Sequence, residues 1–126
     1  MRFGRILTLG LAAAAALAAS PAAAGDDRLD SYCARLGSDD HFNSNGVRLT
    51  DVAAIIRQDR ANFHAFGVQD AEDDGDSFFS SKENRARLEA MLRNGKASKA
   101  VRKAIVDGTP LICVDIYENW VEVTLQ

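Results

Sequence analysis

The chain is poor in the residues that usually announce chemistry: its 126 positions hold two cysteines, two histidines, two prolines and one tryptophan. The two cysteines, Cys33 and Cys113, form no C-x-x-C, no C-x-x-C-H and no Cys/His cluster, so redox, haem and structural zinc motifs have no basis. The two histidines, His41 and His64, sit in no H-E-x-x-H helix, and no serine lies in a G-x-S-x-G elbow. Few prolines and no Gly/Ser tracts leave no linker, repeat or low-complexity segment beyond the first two dozen residues. No apolar run reaches the ~20 residues that a membrane-spanning helix needs.

What is present begins with an export signal. Arg2 and Arg5 precede an uncharged Leu/Ala stretch from Ile6 to Ala19, Ser20-Pro21 breaks it, and Ala22-Ala23-Ala24 supplies small residues for a peptidase. Residues 1–24 are therefore expected to be a signal peptide cleaved after Ala24, leaving one domain over 25–126. The two arginines are not adjacent and the first cysteine is Cys33, which points to the general export route and against a lipid anchor. The expected location is the periplasm or the exterior, with no membrane span after cleavage.

From Gly25 onward, 13 Lys or Arg face 18 Asp or Glu, a net charge of −5 that does not favour nucleic acid. The charge is segregated. Residues 25–76 carry 12 acids against 5 arginines, and residues 82–103 carry 8 basic residues against Glu83 and Glu89. These stretches read as mutually attracting or solvated faces, or as a basic patch for an anionic partner such as envelope polysaccharide.

A domain of this size buries a limited core, and an oxidising compartment lets its cysteines pair. A Cys33–Cys113 disulfide is expected; two free buried thiols or an intermolecular bridge are the alternatives.

Periodicity predicts an α+β fold: three or four short helices packed on a C-terminal antiparallel β-hairpin in a single small disulfide-stapled domain. Leu29, Tyr32, Cys33 and Leu36 have helical spacing and predict a short helix ending at Gly37. Residues 38–46 read as turns, and Val47–Leu49 as a brief extended piece. Thr50 is the expected N-cap of a helix to about Ala65 with Val52, Ile55, Ile56 and Phe63 inward. Ser80 and Glu83 form an S-x-x-E capping box for a helix ending at Asn94-Gly95, and Ser98 starts another that stops near Gly108.

The period then changes from 3.6 to 2. Strands from Leu111 to Tyr117 and from Trp120 to Leu125 flank an Glu118-Asn119 turn, pairing Ile116 with Val121, Val114 with Val123 and Ile112 with Leu125. The opposite face carries Asp115/Glu122, Cys113/Thr124 and Tyr117/Trp120. The staple is expected to tie the N-terminal helix to that face.

Among candidate sites, Asp70, Glu72, Asp74, Gly75 and Asp76 resemble the first half of an EF-hand calcium loop, with acids at positions 1, 3, 5 and 7 and glycine at 6. Position 12 is Ser81 instead of glutamate, so a solvated acidic loop is the ordinary expectation. Asp39, Asp40, His41, Asn43 and Asn45 form a conceivable polar site; otherwise they are a surface loop, with His64 at a helix end. Asp115 and Glu122 oppose each other and could do acid–base work or simply be wet. Tyr117 and Trp120 stabilise the hairpin end or offer a docking platform. Arg57 and Arg60 could clasp a carboxylate or phosphate, but Asp59 and neighbouring acids are readier partners, and the segment reads as helix surface.

These patterns favour a non-enzymatic binding or interaction module of the cell envelope, with an envelope protein or polysaccharide as partner and no cofactor. A small secreted hydrolase using carboxylates and His41 is the alternative, and a calcium-binding structural protein the lesser one.

Overall fold

The hairpin forms in the register that the alternating pattern requires. In the computed structural model, which describes residues 27–126, β2 (Leu111–Ile116) and β3 (Val121–Leu125) run antiparallel. Ile112 lies opposite Leu125, Val114 opposite Val123 and Ile116 opposite Val121. The Tyr117 N–H donates to the Trp120 carbonyl at 2.9 Å and closes the two-residue turn. The signal peptide and its cleavage position lie outside the described residues.

The N-terminal segment is a strand, not a helix. β1 (Asp30–Arg35) pairs antiparallel with β2, giving a three-stranded sheet of order β1-β2-β3. Tyr32, Ala34 and Leu36 are buried, so the inward set follows period 2, and Leu29, which the helical reading placed inward, is exposed. The segment's apolar residues fit both periods. The unpaired edge of β2 decides between them, because a strand there satisfies its backbone groups and extends the apolar face.

The expected disulfide is present, but it joins neighbouring strands instead of a helix and a sheet. Cys33 lies directly opposite Cys113, with Cα atoms 4.0 Å apart, and among the described residues no cysteine is free. The Cys33 backbone groups turn away from β2: its N–H donates to the Asp74 carboxylate and its carbonyl accepts from the Asp74 N–H. The cysteines thus occupy a non-hydrogen-bonded pair, where opposed side chains come closest.

Helices cover the other face of the sheet. α1 (Val52–Ala65) is capped by Asp51, one residue later than expected, its carboxylate accepting from the Ala54 N–H at 3.1 Å. The single helix expected after Ser80 is two: α2 (Lys82–Ala86) and α3 (Leu88–Arg93), divided at Arg87. The cap is Ser81, which accepts from the Asn84 N–H; the Ser80 hydroxyl bonds back to the Ser77 carbonyl. α4 (Lys99–Asp107) starts at Ser98 as the sequence indicates. Ile55, Ile56, Leu88, Met91, Leu92 and Ile105 meet Val114, Ile116, Val121 and Val123 in one core. Among the described residues no helix is long and apolar enough to cross a membrane.

Both sheet edges are covered. Residues 70–76 lie along β1, and the chain between α3 and α4 runs beside β3, the Lys96 N–H donating to Val121 and its carbonyl accepting from Val123. Gly95 permits that approach: a Cβ there would lie 1.9 Å from the Val121 carbonyl oxygen. Gly95→Ala is therefore expected to lower stability by about 2 kcal/mol through forced separation of this segment from β3. Urea unfolding checks it; a change within about 0.5 kcal/mol would show that the loop yields freely.

Candidate functional site

Arg60, expected on a helix surface, is fully buried. Its side chain is 0 % exposed. Nε donates to Asp59 Oδ2 at 2.8 Å, and Nη1 donates to Asp76 Oδ1 at 2.9 Å and to the Asp74 carbonyl at 3.0 Å. The guanidinium stacks on the Tyr32 ring, 3.9 Å from its centroid, with Phe63 at 4.8 Å. His64, one helical turn on, places Nε2 2.8 Å from Asp76 Oδ1. A buried cation held by two carboxylates and two aromatic rings organises the acidic loop around itself.

The loop is held in place by these bonds although Glu72, Asp74 and Gly75 remain exposed. Asp73 accepts from the Arg35 and Asp70 N–H groups, Asp74 accepts from Cys33, Glu72 pairs with Arg35, and Asp76 also accepts from the Phe79 N–H. Glu72, Asp74 and Asp76 are engaged by different partners, namely Arg35, the Cys33 N–H, and Arg60 with His64, instead of converging with Asp70 as calcium ligands would. Among the described residues no group of three or more His, Cys, Asp or Glu side chains is placed to hold a metal ion.

Burial pushes the Asp59 carboxyl up to about 8, against the pull of Arg60, and burial also raises Asp40. A carboxyl whose folded value exceeds its unfolded one binds more protons in the folded state, so its ionisation opposes folding. Stability is therefore expected to fall as pH rises from about 4 towards about 8, and to level off above. Asp59→Asn should flatten most of that slope in urea titrations across the range; an undiminished slope would assign it elsewhere.

The polar constellation at 39–46 divides between core and surface. Residues Ser38–His41 form a 3-10 turn in which Asp40 Oδ2 accepts from the Gly37 N–H. Asp40 and His41 are buried. His41 is 1 % exposed, with Nδ1 and Nε2 each 2.7 Å from a carbonyl oxygen, those of Gly37 and Ile105. The ring ties the turn to the end of α4 and faces no solvent. Asn43 organises the next turn, its side-chain oxygen accepting from the Asn45 and Val47 N–H groups.

The hairpin's polar face also resolves into local pairs. Asp115 accepts from Arg28 at 3.2 Å and lies opposite Glu122 across the β2–β3 pair. Tyr117 and Trp120 stack in parallel, centroids 3.8 Å apart, with Lys96 Nζ 5.6 Å from the Trp120 ring centroid.

A concave surface takes in Asp39 and Asn43 of the polar stretch that the sequence singled out and adds residues of α1 and the turn that follows it. The 39–44 segment and the end of α1 enclose a groove of about 570 Å³ lined by Asp39, Phe42, Asn43, Gln58, Asn62, Phe66 and Val68. Its floor is a fixed chain of side chains: Gln58 Nε2 donates to Asn62 Oδ1, and Asn62 Nδ2 donates to Asp40 Oδ1, each at 2.9 Å. Its rim is apolar. Gly67, at φ +66°, turns the chain back so that the Val68 N–H meets the Asn62 carbonyl at 2.8 Å. That turn leaves Phe66 62 % and Val68 45 % exposed, facing Phe42 at 41 %. Large apolar residues inside otherwise polar loop sequence were the signal that could have found it.

No protein-family model, curated protein or solved structure matches this chain.

Proposed function

We propose that this protein is an exported, non-enzymatic interaction module of the cell envelope, and that it docks a protein partner in the groove between residues 39–44 and the C-terminal end of α1. The observation that carries the proposal is the exposed trio Phe42, Phe66 and Val68 around one concavity whose amide side chains are already hydrogen-bonded to one another. Such a site offers apolar contact at little ordering cost, because its walls are held before a partner arrives. The placement of His41 supports binding over hydrolysis: a ring buried with both nitrogens at backbone carbonyls has no substrate to serve. Export is the setting in which the Cys33–Cys113 pair persists.

The test is a titration of the wild-type protein with a capped neutral peptide, acetyl-Gly-Phe-Gln-Phe-Gly-amide, followed by backbone amide NMR shifts. Shifts confined to residues 39–47 and 58–68, and abolished by Phe66→Ser, are the expected result. An absence of shifts at millimolar peptide, or shifts scattered over the sheet and helices, would overturn the groove as a docking surface.

A further inference from the structure

The chain holds two Asn-Gly pairs, Asn45-Gly46 and Asn94-Gly95, and the fold treats them oppositely. An asparagine followed by glycine is open to attack on its own carboxamide, because the next backbone nitrogen carries no flanking side chain to shield it. The other asparagines precede Ser44, Phe63, Arg85 and Trp120, whose side chains supply that shield.

Asn94 is held on every side. It ends α3 with a helical backbone, and its N–H donates to the Ala90 carbonyl at 3.0 Å. Its carboxamide donates to the Asn119 carbonyl at 3.4 Å, and the Gly95 N–H donates to the Leu92 carbonyl at 3.2 Å. Gly95 lies so close to the Val121 carbonyl that the peptide between the two residues cannot rotate without parting the segment from β3.

Asn45 stands at the exposed tip of the 43–47 turn. Asn43 supplies the carboxamide that organises this turn, through the Asn45 and Val47 N–H groups, and the Asn45 carboxamide takes no part in the hydrogen bonds among the described residues. Gly46 adopts φ +75°, with open space where a Cβ would project. One bond restrains its nitrogen, to the Asn43 carbonyl at 2.9 Å, and water replaces such a bond readily when an exposed turn frays.

We propose that Asn45 is a site of spontaneous deamidation assisted by the Gly46 backbone. The Gly46 nitrogen loses its proton to the solvent and attacks Asn45 Cγ; the N–Cγ bond forms, the Cγ–Nδ2 bond breaks, and ammonia leaves with a proton taken from water. Water then opens the cyclic imide at one carbonyl or the other, leaving aspartate or isoaspartate at position 45. Either product adds a negative charge beside Asn43 and Ser44 of the groove wall. The isoaspartyl form also lengthens the backbone by one carbon between 45 and 46, so the bonds between Asn43 and Val47 lose their register.

The experiment incubates the oxidised protein, and the same chain unfolded in reductant and guanidinium chloride, in one warm, mildly alkaline buffer, and follows both Asn-Gly peptides by mass spectrometry. In the folded protein the Asn45 peptide is expected to gain about 1 Da and to accept label from an isoaspartyl methyltransferase, while the Asn94 peptide stays unchanged. In the unfolded chain both peptides should convert at similar rates, and Asn45→Ser should abolish the gain in the folded protein. An Asn45 peptide that stays unmodified in the folded protein, over the time in which the unfolded chain converts, would overturn the proposal: the single turn bond would then protect as fully as α3 does. Conversion of Asn94 as fast as Asn45 in the folded protein would overturn the selectivity. A mass gain at Asn45 without isoaspartyl labelling would contradict the imide route.

Discussion

Arg60→Ala is expected to destabilise the domain by about 3–5 kcal/mol, the range for breaking a buried ion pair from one side. The alanine removes the guanidinium that bonds both Asp59 and Asp76, depriving Asp59 of that partner and leaving Asp76 to His64 and the Phe79 N–H, in surroundings that do not solvate the two carboxyl groups. It also deletes the plate between Tyr32 and Phe63. A domain of about 100 residues holds only ~5–15 kcal/mol in total, so the variant stands near the edge of folding. Arg60→Lys should recover little, since a point charge cannot reach Asp59, Asp76 and the Asp74 carbonyl together. Hydrogen exchange should show loss of protection first at Cys33 and Asp74, whose N–H groups join the acidic loop to β1. A urea-derived loss below about 1 kcal/mol for Arg60→Ala would mean that the carboxyls neutralise or rehydrate without cost.

The second large effect belongs to the disulfide. Cys33 and Cys113 are 80 residues apart in sequence, and a cross-link of that span removes about 4 kcal/mol of chain entropy from the unfolded state. The doubly substituted Cys33→Ser/Cys113→Ser protein should melt roughly 15–30 °C lower than the oxidised wild type. Reductant should lower the wild-type melting temperature similarly and leave the variant unchanged. A shift of only a few degrees would show that β1 stays beside β2 in the unfolded ensemble without the covalent link.

How far the sequence could be read depended on whether local pattern and tertiary need coincided. In the hairpin they did. Alternation from Ile112 to Leu125 permits one register around Glu118-Asn119, since a one-residue slip would turn Val114 and Val123 to the opposite face. Asp51, Ser81 and Ser98 all cap helices through their side chains, within a residue of the expected caps, because capping is a local contact. For β1 the two parted. Tyr32 and Leu36 fit a helical stripe and an alternating strand equally, and only the bare edge of β2 selects the strand. Arg60 shows the same limit among charges: on α1 it is one of several polar residues, and its burial depends on Asp76, 16 positions away, folding back over it. The groove was least legible, because Phe42 lies in one turn and Phe66 and Val68 flank another, and the two meet only where Asn62 reaches Asp40.

By itself, then, the amino-acid sequence determined the class of fold, the hairpin with its register, and which cysteines pair, all of which follow from periodicity, turn chemistry and a count of two. Tertiary structure alone decided that the first segment becomes a strand, that the acidic loop serves as the lining of a buried arginine, and that three loop side chains share one concavity. The physical reason is range: periodicity and capping act over a few residues, whereas edge pairing, desolvation and surface shape are set by groups that the chain brings together from far apart.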